Sequence, residues 1–227
     1  MKRLLTCTLF PLLVLVVSLA PAADKKVDFR EKLQPFNDFI GQWKGDGKEK
    51  SKTFTEDIEW GWKFKGDEAW LVLKIKDGKQ FKSGELRYIP DKNNYQMTVV
   101  DVNDKKLVFE GTMNKNYLTM EREDKDAKEK QQIVMSNAGD GVFLNYAYKK
   151  ASGNKKPTTI FEVKAKREGV DFGPGAKKNE CVVSGGLGTG AVTYKGQTYY
   201  ICCSGCRDAF NENPEKYVKE FEAKKKK

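Results

Sequence analysis

The 227 residues include no histidine, 42 Lys and Arg against 32 Asp and Glu, and 39% hydrophobic side chains. Without an imidazole, Ser-His and Cys-His catalysis and histidine-ligated haem are excluded. The net charge of +10 is carried mainly by Lys. It reads as a solvated basic surface, not a nucleic-acid footprint, and the hydrophobic content suffices for a core.

The chain opens with "MKRLLTCTLFPLLVLVVSLAPAA". Lys2 and Arg3 precede an apolar run from about Leu9 to Leu19, and small residues follow it. This pattern predicts a signal peptide over residues 1–23, cut after Ala22 or Ala23, and so an exported chain, periplasmic or secreted. Pro11 interrupts the run, which is short for a membrane span. Cys7 stands before the run rather than after it, so a lipid-modified cysteine is not expected. No later stretch predicts membrane insertion.

In "DFREKLQPFNDFIG", Phe29, Leu33, Phe36 and Ile40 fall near helical spacing and Pro35 breaks it. Two short turns with an apolar face are expected, forming a lid. From Gly41 to Glu168 the period becomes two. Leu71, Leu73 and Ile75 share a face, as do Tyr95, Met97 and Val99, then Leu107, Phe109 and Met113, then Val142, Leu144, Tyr146 and Tyr148. Turn residues such as Asp77-Gly78, Asn103-Asp104 and Gly139-Asp140-Gly141 separate these runs. About ten strands at this spacing predict an antiparallel up-and-down β-barrel, because closure removes the edges of a large sheet. Trp43 is expected in its core. Trp60, Trp62, Trp70, Tyr88, Phe143, Tyr146 and Phe161 are candidates either for core or for lining a pocket that takes a small apolar ligand. The barrel is expected to fold as a separable unit over residues 24–168.

The entry "FIGQWKGDGK" contains Gly41-x-Trp43-x-Gly45-x-Gly47. A Gly-x-Trp on the first strand after a short helix resembles the lipocalin-like (calycin) barrels, and the longer glycine pattern their bacterial ten-stranded relatives of the nitrobindin type. Haem-binding members use a histidine, which this chain lacks.

Residues 169–180, "GVDFGPGAKKNE", read as a linker. Cys181, Cys202, Cys203 and Cys206 follow it. Val192–Tyr194 and Thr198–Ile201 are β-prone around the turn Lys195-Gly196-Gln197, a hairpin that brings Cys202 beside Cys181. Beyond Cys206 the chain reads as helix. Asn213 caps a second helix that starts at Pro214 and turns Tyr217, Val218 and Phe221 inward. Adjacent Cys202 and Cys203 would diverge on a strand, and a turn at Ser204-Gly205 would reunite them. Four thiols in an exported chain suit a metal site, a pair of disulfides, or a redox couple at Cys203-Ser-Gly-Cys206 before a helix.

The stretch from Cys181 through "VTYKGQTYYICCSGCRDAFNENPEKYV" resembles the YHS domain and its relative the TRASH domain, over roughly residues 178–221. The resemblance implies a small α+β treble-clef-like fold that handles a heavy metal such as copper or zinc. By position it makes Cys181, Cys202 and Cys206 the ligands of one Zn2+ or Cu+ ion, with Cys203 as a candidate fourth. Family members often open with Cys-Gly-Met; Val182, Val183 and Ser184 follow Cys181 here.

The sequence therefore describes a mainly β protein: signal peptide 1–23, barrel 24–168, linker 169–180, metal-binding module 181–223 and basic tail 224–227. Its expected function is exported copper or zinc binding without catalysis. The alternatives are an apolar-ligand carrier with a disulfide clip, or a thiol oxidoreductase.

Overall fold

A computed structural model describes residues 27–139, 141–153, 155–170 and 178–226. The signal-peptide expectation and the middle of the linker lie outside the described residues. The entry segment forms α1 (Phe29–Leu33) followed by a 3-10 turn (Gln34–Phe39), with Pro35 at the junction. Asp28 caps α1 by accepting a hydrogen bond from the Glu31 N–H. The apolar side of this segment is buried at Leu33, Phe36, Phe39 and Ile40.

Ten strands follow. They are β1 (Gly41–Glu49), β2 (Lys52–Lys65), β3 (Glu68–Lys76), β4 (Phe81–Ile89) and β5 (Asn94–Asp101), then β6 (Lys106–Asn114), β7 (Tyr117–Asp124), β8 (Glu129–Ala138), β9 (Phe143–Ser152) and β10 (Thr158–Arg167). Each pairs antiparallel with its neighbours in sequence, and β1 pairs with β10 to close the barrel. The two-residue alternation decides what faces inward. Leu71, Leu73, Met97, Val99, Phe109, Leu144 and Tyr148 are buried as their spacing requires. Trp43 is fully buried, and its indole N–H donates to the Phe39 carbonyl at 3.0 Å, tying the entry segment to the barrel end.

The inward positions of β1 are Trp43, Gly45 and Gly47. A Cβ on Gly47 would stand 2.2 Å from the Phe54 ring, and one on Gly45 2.8 Å from Val163. The two glycines therefore leave room for large side chains from β2 and β10. The interior is filled. A cavity inside it, lined by residues that include Trp60, Met97, Ile133 and Tyr146, holds only about 20 Å3, space for about one water molecule. Trp60, Trp62, Tyr88, Tyr146 and Phe161 are buried. Phe143 and Trp70 do not join them: Phe143 is exposed, and Trp70 lies half-buried beneath the Arg87 guanidinium, 4.2 Å from its ring centroid. Both have the outward parity of their strands.

One carboxylate breaks the apolar pattern. Glu56 is 1% exposed; it accepts the Tyr146 O–H at Oε1, and its Oε2 has no partner. Burial pushes its carboxyl pKa above the ordinary 4.5, opposed by the Tyr146 hydroxyl and the Lys79 backbone N–H. An acid whose pKa is raised on folding stabilises the protein fully below its unfolded pKa. That contribution is lost as pH rises through the native value. Glu56→Gln, which cannot ionise, is therefore expected to lose less stability than the wild type as pH rises above the ordinary carboxyl value of 4.5. Parallel melting-temperature profiles for the two proteins would contradict this.

After the barrel come β11 (Asn179–Glu180), β12 (Leu187–Gly188), β13 (Gly190–Tyr194), β14 (Gln197–Ile201), α2 (Ser204–Glu212) and α3 (Pro214–Lys225). The linker expected to end at Glu180 thus gives its last two residues to a strand, and α3 continues through Lys225 into the expected tail. Tyr194 pairs with Gln197 across the turn, where Lys195 and Gly196 take φ of 47° and 77°. This is the two-residue geometry that matches strand twist, and glycine adopts it without strain. Asn213 caps α3 by accepting from the Lys216 N–H, with Pro214 in the first turn.

The module packs onto the barrel where β2 outruns β1. Pairing of the two strands begins at Gly41 and Trp60, so β2 beyond Trp60 has no β1 partner. The start of α2 occupies that edge. The Trp62 N–H donates to Cys203 Sγ at 3.3 Å, and a Cβ on Gly205 would lie 1.7 Å from the Trp62 carbonyl oxygen. Only glycine permits this approach. The entry segment bridges the same junction. Asn37 donates to the Ser184 carbonyl, and Arg30 donates to the Val183 carbonyl and pairs with Glu220 at 2.6 Å. Barrel and module share one continuous apolar core. No helix among the described residues is long and apolar enough to cross a membrane.

Candidate metal centre

Three local structures bring the thiols together. The first is the loop Cys181–Gly186. The Cys181 N–H donates to the Gly186 carbonyl at 2.7 Å and the Gly185 N–H to the Cys181 carbonyl at 2.9 Å. The tight loop turns the Ser184 N–H toward Cys181 Sγ, 3.5 Å away. The second is the hairpin. Cys181 bridges to Tyr200, and the Val182 N–H donates to the Tyr200 carbonyl at 2.8 Å, so the end of β14 sets Cys202 against the loop. The third is α2, which carries Cys206 in its first turn.

The Sγ atoms of Cys181, Cys202 and Cys206 all lie within 4.8 Å of one another, and the three residues are 0%, 4% and 0% exposed. Cys202 and Cys206 are 3.4 Å apart at sulfur. Two sulfurs bound at about 2.3 Å to one tetrahedral ion stand ~3.8 Å apart. The triangle has the size that one thiophilic ion would need, and its donors are soft.

Cys203 lies beside this triangle. The expected turn at Ser204-Gly205 is absent because those residues open α2. Cys203 is its N-cap in an extended conformation (φ −160°, ψ 172°). The two neighbouring sulfurs nevertheless stay close together. Cys202 enters the cluster, while Cys203 takes the Trp62 N–H and stays half-buried, with its sulfur 3.9 Å from that of Cys202.

Crowding sorts the four thiols by charge. Hydrogen bonds from Cys202 and then Cys206 pull Cys181 well below the ordinary thiol value of 9.0, with Ser184 assisting and burial opposing. Cys203 is likewise pulled down by Cys202 and Cys206, with smaller help from the Trp62 and Cys206 N–H groups. Cys202 is pushed up because its S–H serves Cys181 and Cys203, and Cys206 chiefly by burial. The surroundings thus favour the charged form at Cys181 and Cys203 and the neutral form at Cys202 and Cys206.

Two contributors were not identified from residue type as part of the site. Ser184 is 1% exposed, with Oγ 3.4 Å from Cys202 Sγ, and also accepts the Gly186 N–H. It is visible in sequence only as the residue after Cys181-Val-Val. Arg167 is 4% exposed at the adjoining barrel end. Its guanidinium donates to the carbonyls of Gly141 and Asp38 at 2.6 Å each and to that of Ile40, and lies 4.1 Å from the Trp43 ring centroid. Burial lowers its pKa to about 10, so it remains charged at neutral pH.

Comparison with known proteins adds a family for the module. Residues 190–220 match the YHS domain, a span that includes Cys202, Cys203 and Cys206 and begins after Cys181. No curated protein matches the sequence. Among solved structures, the crystal structure of Rv2717c from M. tuberculosis is similar at 17% identity and a TM-score of 0.41, over 60% of this chain and 97% of that one. The chain thus carries a YHS domain at residues 190–220 behind a closed ten-stranded antiparallel β-barrel.

Proposed function

We propose that this chain is an exported binder of one thiophilic metal ion, copper(I) or zinc, held by Cys181, Cys202 and Cys206. The observation that carries the reading is the triangle of buried sulfurs within 4.8 Å of one another. A disulfide joins two sulfurs and would leave the third buried without its partner, whereas one ion uses all three. The YHS match supports metal binding in general terms, and residues 1–23 support export. Ser184 and the loop N–H groups hold the sulfurs in place. The barrel acts as a rigid support, in keeping with its filled interior. The protein is a binder rather than an enzyme, since its lack of histidine removes the common nucleophile–base pairs.

The test is elemental analysis of full-length protein purified and desalted under reducing conditions. About one zinc or copper ion per chain is expected, as for a closed thiolate site. Protein that holds neither ion, and takes up neither when supplied, would overturn the reading.

A further inference from the structure

We propose that the cleft between barrel and module is the port by which the ion enters, and that Cys203 is the thiol that first receives it from a small zwitterionic thiol. This inference rests on the metal reading above and adds the route and the donor.

The three cysteines of the cluster are at most 4% exposed, so an ion has little direct access to them. A cleft of about 390 Å3 runs along the junction, with Cys202 and Cys203 in its wall. Cys203 is the more exposed of the two, and its sulfur lies 3.9 Å from that of Cys202. The Trp62 N–H holds that sulfur from the barrel side at 3.3 Å. Cys203 is thus held next to the triangle and is more exposed than its members, as a relay requires.

The cleft also indicates the donor. Its volume is in the small-molecule range of about 300–1,000 Å3. Soft ions bind thiolates, so the donor should carry one. The walls hold both signs of charge: Arg167 and Arg207, with Glu59 and Glu168. Arg207 lies one helical turn beyond Cys203 on α2, its N–H bonded to the Cys203 carbonyl. Guanidinium and carboxylate together suit a thiol that bears carboxylates and an ammonium group, the chemistry of an amino-acid-derived thiol such as glutathione. Transfer is ligand exchange without oxidation. A bond forms between the Cys203 thiolate sulfur and the ion as one donor sulfur–metal bond breaks, and the donor sulfur leaves as its thiolate. Cys202 then displaces Cys203 in the same way, its own proton passing to the Cys203 sulfur it faces.

The experiment mixes reduced, metal-free protein anaerobically with the preformed copper(I)–glutathione complex. Uptake is followed by thiolate-to-copper absorbance, and equilibrium affinity is measured separately by competition with bicinchoninate. Cys203→Ser retains an acceptor for the Trp62 N–H but loses the soft donor. It is expected to slow uptake about tenfold or more while affinity stays within about threefold. Arg207→Glu is expected to slow uptake from the glutathione complex, with less effect on uptake from copper(I) in acetonitrile. A Cys203→Ser rate equal to wild type, or a rate and affinity that fall together, overturns the relay. Arg207→Glu effects equal for both donors overturn the choice of thiol. Wild type that binds no copper at equilibrium overturns the metal reading itself, and is distinguished by the competition assay alone.

Discussion

Arg167→Met is expected to cost about 4 kcal/mol, from leaving buried carbonyls without a donor at about 1–3 kcal/mol each. The guanidinium satisfies three backbone carbonyls, those of Asp38, Ile40 and Gly141, which belong to the entry segment and to the turn before β9. Met fills similar volume but donates nothing, so the Ile40 and Gly141 carbonyls lose their donor, Asp38 keeps only the Asn137 amide, and the Trp43 ring loses its cation. The flaw lies where the entry segment, barrel and module meet. For a chain of this size the loss corresponds to a fall in melting temperature of roughly 8–16 °C. Arg167→Lys keeps the charge on a single amine that cannot serve three separated carbonyls, so it should fall between Met and wild type. Urea denaturation of the three reduced, metal-free proteins measures this. A cost below about 1 kcal/mol for the Met variant would show that water replaces the guanidinium without penalty.

The barrel was legible because alternation is a local property. Leu71, Leu73 and Ile75 declare an inward face without reference to any other strand, and ten such runs leave closure as the natural way to remove edges. The hairpin and α3 were legible for the same reason, through Lys195-Gly196 and Asn213-Pro214. The same alternation carried two clues that residue type obscured. Glu56 shares the face of Ile58 and Trp60, and Arg167 that of Val163 and Ala165. Read by parity alone, both are inward-facing charges that need partners. Those partners, Tyr146 and the carbonyls of residues 38, 40 and 141, are distant in sequence. No local pattern could name them. The gathering of Cys181, Cys202 and Cys206 followed from spacing and from resemblance to a known domain. The position of Cys203 did not, because it depends on β2 outrunning β1 and exposing the Trp62 N–H to a helix about 140 residues later.

Anaerobic titration of the reduced protein with Zn2+ and with Cu+, beside Cys181→Ser, Cys202→Ser and Cys206→Ser, tests the central claim most directly. All three sulfurs are buried in one triangle, and each substitution exchanges a soft, ionisable donor for a hydroxyl that stays protonated. Solvent has little access to stand in for the sulfur, since the three residues are at most 4% exposed. Each variant is expected to lose affinity by about a hundredfold or more, given that even partners outside the coordination shell are worth 10–100-fold. Circular dichroism of the metal-free variants should match the metal-free wild type in the barrel's β signal, which separates loss of a ligand from loss of the fold. One equivalent bound by the wild type and sharply weakened in all three variants is the predicted result. Wild-type affinity in all three, or no binding by the reduced wild type, would contradict the account and leave the cluster as a structural thiol group.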